Sequence, residues 1–301
     1  MFNLNKLEEF AVSLGVKAER EVIMKEYTTF RIGGEADLFL SPSNEQQVSS
    51  LVKFCKENEI PYFILGKGSN ILVSDKGIRG AVIFTGLINE VSFIDECTIK
   101  CGAGLSLMKL CTLALENSLS GLEFAFGIPG SVGGAAFMNA GAYGGEMKDV
   151  LISCTHVDSQ GNIGELSLDE MDLAYRHSIY EDNGYVVTSA TVRLTKGNAD
   201  EIKAKMQDFL GRRKEKQPLE YPSAGSTFKR PEGYFAGALI QECGLKGASV
   251  GGAQVSQKHS GFVINKGNAT AQDVLSLIEM VSCTVENEKG VKLNPEVRFI
   301  G

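Results

Sequence analysis

Three glycine turns set the tightest limit on how this chain can fold. They are Tyr27-Thr28-Thr29-Phe30-Arg31-Ile32-Gly33-Gly34, Leu65-Gly66-Lys67-Gly68-Ser69-Asn70, and the run Gly127-Ile128-Pro129-Gly130-Ser131-Val132-Gly133-Gly134-Ala135-Ala136. The last continues into Asn139-Ala140-Gly141-Ala142-Tyr143-Gly144. A residue without a Cβ tolerates positive φ and lets backbone approach backbone or ligand. The chain holds 34 Gly but only 7 Pro and no repeat, so the glycines mark folded turns and not a linker.

The second turn has the look of a dinucleotide fingerprint, but Ile71 stands where the third glycine belongs. The following residues read as strand and not helix, which removes the Rossmann reading. Converging backbone N–H groups can instead form an anion nest, and a plain tight turn accounts for the residues equally well. For the third run, a helix packed through an Ala/Gly face competes with close approach of a flat or phosphorylated ligand. Pro129 and five glycines between 127 and 141 leave little regular helix, which favours the ligand. Taken together, the turns suggest a large nucleotide cofactor threaded between two sub-domains.

Composition removes other classes. The formal net charge is −7, unsuited to a general nucleic-acid binder. An anionic ligand then needs a local cationic pocket. The cysteines (Cys55, Cys97, Cys101, Cys111, Cys154, Cys243, Cys283) form no C-x-x-C and have no histidine at ligand spacing, so free thiols and no metal site are expected. There is no signal-peptide pattern and no run of about 18 apolar residues, so a cytoplasmic protein with no membrane contact is expected.

Periodicity predicts a helix over residues 4 to 14, with Leu4, Leu7, Phe10, Ala11 and Leu14 on one face. A strand at 37–40, a helix at 43–57 with Ser43 and Gln46 as its capping box, and a buried strand at 61–65 parallel to the first make a β-α-β unit. Mostly strand follows from 71 to 101, then a helix at 106–117. A hairpin at 150–167 turns on Ser159-Gln160-Gly161-Asn162, and a strand follows at 184–194. Helices are expected at 198–216, 235–243 and 270–288, the last capped by Thr270 and Asp273, with strands at 260–264 and 297–300. The composition shift at Lys196-Gly197-Asn198 sets the main boundary. The expected domains are a helical appendage 1–21, a domain 22–196 split near 86, and a domain 197–301.

The two segments Ala224-Gly225-Ser226-Thr227-Phe228-Lys229-Arg230-Pro231 and Pro295-Glu296-Val297-Arg298-Phe299-Ile300-Gly301 complete an ordered set with the three turns. This set resembles the UDP-N-acetylenolpyruvoylglucosamine reductase family, whose cofactor domain is of the vanillyl-alcohol-oxidase/para-cresol-methylhydroxylase (PCMH) type. The resemblance runs from about residue 22 to the C-terminus. It implies an α+β fold: a two-subdomain FAD-binding domain plus a C-terminal α+β substrate-binding domain.

The resemblance also implies an activity. NADPH reduces FAD, and flavin N5 passes hydride to C3 of the enolpyruvyl group of UDP-N-acetylglucosamine enolpyruvate. A proton added at C2 gives UDP-N-acetylmuramate for bacterial cell-wall synthesis, and so for cell shape and division. The family's catalytic set falls on Arg176, Ser226 and Glu296. Cofactor contacts are expected from Thr29, Arg31, Gly33, Gly34, Leu65, Gly66, Lys67, Gly68, Ser69, Asn70, Ile128, Pro129, Gly130, Ser131, Gly133, Gly134, Asn139, Gly141, Ala142 and Gly144. Substrate contacts are expected from Arg212, Arg213, Lys216, Lys229, Arg230, Asn265 and Arg298. None of His156, His177 or His259 lies in a glycine turn, so FAD is expected to be non-covalent. The strand at Tyr185-Val186-Val187 follows Arg176 closely, as in short members lacking the inserted tyrosine segment, which leaves Tyr143, Tyr175 and Tyr180 to consider for closing the site.

Each assignment has a plainer rival. On spacing alone Arg176 is a solvent-facing loop arginine, Ser226 a turn residue, and Glu296 with Arg298 an ion pair on one face of the final strand. Cations at 212–216 also suit a helix C-terminus, although Lys229 and Arg230 lie beyond it. With no separate nicotinamide fingerprint, a site shared in turn by NADPH and the UDP-sugar, with ping-pong kinetics, is expected, as is a monomer. The alternatives are a PCMH-type flavin oxidase acting on a hydroxy acid or aldonolactone, a non-catalytic flavin or nucleotide module, and a Rossmann dehydrogenase.

Overall fold

A computed structural model describes residues 3–301, so Met1 and Phe2 of the expected appendage lie outside the described residues. The described residues form two compact units: one of residues 3–20, 38–67 and 80–212, the other of 21–37, 68–79 and 213–301.

In the first unit the helix Leu4–Ser13 starts where Asn3 accepts a hydrogen bond from Lys6 N–H (3.3 Å), and it buries Leu7 and Ala11. Glu45–Glu57 is the next helix, burying Val48, Leu51, Val52 and Cys55. Its cap lies one residue later than the sequence suggested: Asn44 accepts from Gln47 N–H (3.0 Å), and Gln47 reaches back to accept from Ser43 N–H (2.7 Å). The cap bond is present one position later, because Asn44 takes the extended backbone of a cap, but the expected reciprocal box is not formed: Gln47 bonds to the residue before the cap. The parallel partner of Tyr62–Leu65 is Ile78–Phe84, with Leu65 opposite Phe84. That strand lies between Tyr62–Leu65 and Glu35–Ser41, so the simple β-α-β pairing is corrected.

A five-stranded antiparallel sheet follows the order Ile163–Ser167, Leu151–Val157, Val186–Arg193, Thr98–Gly102, Val91–Phe93. Its hairpin places Val157 opposite Ile163. Asp158 holds the turn by accepting from Gln160 and Asn162 N–H, both at 2.8 Å. The helix Leu107–Glu116, capped by Ser106, packs Leu107, Leu110, Cys111 and Ala114 into the core with Ile99, Val132, Leu151 and Val192.

The second unit is built on the helix Ala271–Lys289. Thr270 and Asp273 form its capping box, and Gly290 ends it in the left-handed conformation (φ +67°). Val274, Leu277, Ile278, Val281 and Val285 recur at helical spacing and are buried with Phe30, Leu72, Ile240 and Val255. The strands Ser249–Val250, Ala253–Val255 and Val263–Asn265 form an antiparallel sheet, and Arg298–Ile300 pairs in parallel with Ile71–Val73. The final strand therefore begins after Glu296, and the same-face argument for Glu296 and Arg298 does not apply. The strands Lys17–Ile23, Ser249–Val250 and Ala253–Val255 were not read from the sequence. The two C-terminal ones are too short to show a period.

His156 is buried in the first unit, stacked on Tyr185 (4.8 Å between ring centres, 21°) and 5.9 Å from Tyr180. Burial holds its pKa below the ordinary 6.5, against an opposing pull from Asp158. A base depressed by folding leaves stability intact above the unfolded pKa and erodes it as pH falls below. Wild-type protein should therefore lose more stability between about pH 7.5 and 5.5 than His156→Phe, measured by urea unfolding. Parallel loss in the two proteins would show that His156 carries no linkage.

Candidate functional site

Arg176 sits at the tip of a two-residue turn closed by Ala174 and His177, whose backbones exchange hydrogen bonds at 3.2 and 3.3 Å. Its φ of +55° is left-handed, a conformation that glycine or asparagine normally takes at such a position. The guanidinium lies 5.0 Å from the ring centre of the exposed Tyr175 and donates to Gly141 O at 3.0 Å. Gly141–Ala142 pairs with Gly145–Glu146 in a tight hairpin carrying Tyr143 and Gly144 at its tip. Tyr143, also left-handed (φ +53°), stacks on Phe209 of the helix Ala199–Lys216 (4.7 Å, 9°). Thus the first unit brings Arg176, Gly141, Ala142 and Gly144 together. Asn139 lies beneath them, fully buried.

The long glycine run divides in two. Residues Val132–Phe137 are a short helix whose Gly133, Ala135 and Ala136 face inward, and a Cβ on Gly133 would fall 2.6 Å from that of Ala103. For these residues packing through an Ala/Gly face is what the structure shows. Pro129 and Gly134 lie toward solvent, with Ile128 and Gly130 half-buried. The hydroxyl of Ser131 is buried and has no hydrogen-bond partner among the described residues. It faces Gly66, where a Cβ would come within 2.7 Å of Ser131 Oγ. An orphaned donor beside a bare glycine, next to Leu65 and the exposed Lys67, fits a phosphate-bearing cofactor such as FAD.

In the second unit, several glycines answer to the chain's own crossings. A Cβ on Gly68 would meet Tyr27 O at 2.0 Å, and one on Gly34 would meet Asp75 O at 2.3 Å. Thr29 donates its hydroxyl to Ser223 O (2.7 Å) and its N–H to Gly68 O (3.0 Å). The segments around Thr29 and Gly68 are therefore locked to each other, with Ser69 half-buried beside them.

A cleft of about 580 Å³ in this unit is lined by Lys25, Arg31, Gly33, Gly34, Asp75, Tyr221 and Lys266 among others. Lys266 donates to Tyr221 OH at 2.8 Å. Nothing in the local pattern singled out Lys25, Tyr221 or Lys266, which come together only through the fold. Asn265 borders the same cleft, but its side chain is engaged. It donates to Phe30 O (3.2 Å) and Arg31 O (3.5 Å) and accepts from Gly267 and Ala269 N–H (both 3.1 Å).

Ser226 and Glu296 meet through their neighbours. Glu296 N–H donates to Thr227 O at 2.8 Å, and Asn70 donates its amide to Glu296 O at 3.1 Å. Arg298 N–H in turn donates to Asn70 O at 3.0 Å. Ser226, half-buried, has Oγ 3.3 Å from Phe228 O. His259, which sequence reasoning passed over, borders the same glycine, Gly261, as Ser226 does. Gly261 N–H donates to His259 Nδ1 (3.1 Å), and burial lowers the ring's pKa.

The basic run is less uniform than its sequence. Arg212 grips Asp208 through two nitrogens (3.1 and 2.8 Å), and Arg213 is buried. Lys216 is exposed and Lys229 half-buried. Arg230 lies 4.0 Å from the Phe235 ring centre and donates to Tyr234 O at 3.3 Å.

No histidine, cysteine or carboxylate cluster suited to a metal occurs among the described residues, and none of their helices is long and apolar enough to cross a membrane.

Comparison with known proteins matches residues 217–300 to the profile of the UDP-N-acetylenolpyruvoylglucosamine reductase C-terminal domain and residues 36–167 to that of an FAD binding domain. The UDP-N-acetylenolpyruvoylglucosamine reductase of Clostridium novyi is 55% identical over 283 residues, covering 94% of this chain and 92% of that protein. The Clostridium perfringens protein of the same name is 53% identical and covers 99% of both. Among solved structures, the UDP-N-acetylenolpyruvylglucosamine reductase of Thermus caldophilus superposes with a TM-score of 0.82 at 35% identity, covering 95% of this chain and 100% of that one.

Proposed function

This chain belongs to the UDP-N-acetylenolpyruvoylglucosamine reductase family, and from that premise we propose how its own residues carry out the reduction. The protein is an FAD-dependent oxidoreductase that converts UDP-N-acetylglucosamine enolpyruvate to UDP-N-acetylmuramate at the expense of NADPH. The observation that carries this reading is identity above half over essentially the whole of both chains. A flavin oxidase of hydroxy acids or aldonolactones accounts for the N-terminal turns but leaves residues 217–300 unexplained.

Bound FAD supplies hydride transfer from the nicotinamide to C3 of the enolpyruvyl ether. Gly66, Lys67 and Ser131 are the residues of the first unit that would hold its phosphates. Hydride addition at C3 drives negative charge onto C2 and the adjoining carboxylate. Arg176 takes that charge, because a guanidinium stays ionised and grips a carboxylate through two N–H groups. Ser226 gives the proton to C2. A hydroxyl is a weak acid, but the enolate-like carbon is a strong enough base to accept from it. Glu296, whose backbone is fixed by Thr227 and Asn70, polarises the enolpyruvyl group or relays the proton. Lys216, Lys229 and Arg230 face the diphosphate. Asn265 serves the site from behind by holding the Arg31 loop.

The protein works in the cytoplasm as a monomer. NADPH and the UDP-sugar occupy the same space in turn.

The test is anaerobic. The flavin should bleach on adding NADPH and recover its band near 450 nm when UDP-N-acetylglucosamine enolpyruvate follows, about as fast as the enzyme turns over. A reduced flavin indifferent to this substrate would refute the assignment. Lys216→Ala or Arg230→Ala should raise KM for the UDP-sugar about tenfold or more, in line with the loss of one charged contact to a phosphate, while KM for NADPH changes far less. Equal changes in the two KM values would remove these side chains from the diphosphate.

A further inference from the structure

We infer that Asn139 is a positioning residue for Arg176 and not a cofactor ligand; the inference rests on the role of Arg176 given above. The Asn139 side chain is fully buried, with no surface to offer a ligand. One amide hydrogen goes to Glu146 Oε2 (2.7 Å) and the other to Ala174 O (2.9 Å), while its oxygen accepts from Lys148 N–H (2.9 Å). Both donors are consumed.

These bonds close a ring. Ala174 is the base of the turn that carries Arg176. Arg176 donates to Gly141 O, Gly141 pairs with Glu146 across the hairpin, and Glu146 returns to Asn139. The amide therefore joins the root of the arginine turn to the hairpin that receives the arginine's own hydrogen bond. Three residues of this ring region hold left-handed backbones: Asn139 (φ +43°), Tyr143 (φ +53°) and Arg176 (φ +55°). Such conformations persist only where the surroundings over-determine them. Asparagine suits position 139 twice, because it tolerates positive φ and offers donors and an acceptor in one short side chain. An aspartate would set a second carboxylate against Glu146.

The charged groups around this amide are Glu146, paired with Lys148, together with Asp149, Arg176 and His177. In Asn139→Asp the two carboxylates cannot both ionise at hydrogen-bond distance, so one takes up a proton at a raised pKa and then donates to the other. The ring is broken when both are charged and partly re-formed when one is protonated.

The experiment measures the two half-reactions of the holoenzyme separately, together with FAD binding to apoprotein. For Asn139→Ala, flavin reoxidation by UDP-N-acetylglucosamine enolpyruvate should slow about 10–100-fold, the scale for misplacing a catalytic group by an ångström. Reduction by NADPH and the FAD dissociation constant should stay within about twofold. For Asn139→Asp, reoxidation should rise about tenfold as pH falls from about 8.5 to about 6, with the wild type not sharing that slope. Glu146→Ala, which removes one partner and leaves the buried amide in place, should give a smaller loss with the same split and stands in if the position-139 variants do not fold. Weakened FAD binding would return Asn139 to the cofactor cradle and overturn the inference. So would equal loss in both half-reactions, or no loss. A wild-type flavin that the enolpyruvyl sugar cannot reoxidise would instead bring down the functional assignment, and this inference with it.

Discussion

Ser226→Ala should slow reoxidation of the reduced flavin by UDP-N-acetylglucosamine enolpyruvate about 10²–10⁴-fold, the range for losing a positioned general acid, and leave flavin reduction by NADPH unchanged. The substitution is structurally mild. The one hydrogen bond from Ser226 Oγ, to Phe228 O, is long at 3.3 Å, and the left-handed backbone lies at Gly225 (φ +78°), which is untouched. Losing such a bond costs about 1 kcal/mol or less. A large kinetic defect in a well-folded, flavin-loaded variant is therefore chemical. Ser226→Cys, which restores an acidic hydrogen at the same place, should recover part of the rate. Stopped-flow absorbance of both half-reactions is the measurement. Ser226→Ala reoxidising at the wild-type rate would show that the proton comes from elsewhere, and His259, across Gly261, would be the next group to test.

Arg176→Ala should cost about 10²–10³-fold in the same half-reaction, the scale for deleting one preorganised partner of a developing negative charge. Arg176→Lys should regain only a fraction, because an ammonium keeps the charge but not the paired N–H groups. Alanine and lysine both carry the cost of φ +55° that arginine already bears, so backbone strain cancels and the comparison isolates the guanidinium. Loss of the Arg176 bond to Gly141 O also loosens the hairpin. For that reason FAD content must be measured beside the rate: a defect proportional to lost flavin would make Arg176 a structural residue.

Much of the molecule was legible before any coordinates. The helices at Leu107–Glu116 and Ala271–Lys289 stand where the sequence put them, the second behind its expected cap Thr270, because capping and burial along one face are local properties. The hairpin around Gly161 follows from its turn residues in the same way. The cap of Glu45–Glu57 slipped by one position because Ser43 and Asn44 are both competent caps, and the local sequence contains nothing that chooses between them. The strand pairing of Tyr62–Leu65 was misjudged because strand order depends on a segment, Ile78–Phe84, that lies beyond any local window.

The amino-acid order by itself determined the longer helices, the hairpin around Gly161 and, through five ordered motifs, the family and its chemistry. These depend on neighbours within a few residues or on motif identity. The tertiary structure alone decided what each polar side chain is engaged with. Asn265 reaches Phe30 and Arg31, Asn70 reaches Glu296, and Asn139 reaches Glu146 and Ala174. It also decided that Gly68 and Gly34 yield to backbone, while Gly66 faces the unpaired hydroxyl of Ser131. The physical reason is distance along the chain. A buried amide or hydroxyl must find a hydrogen-bond partner, and when that partner lies up to 235 residues away only the completed fold can supply it.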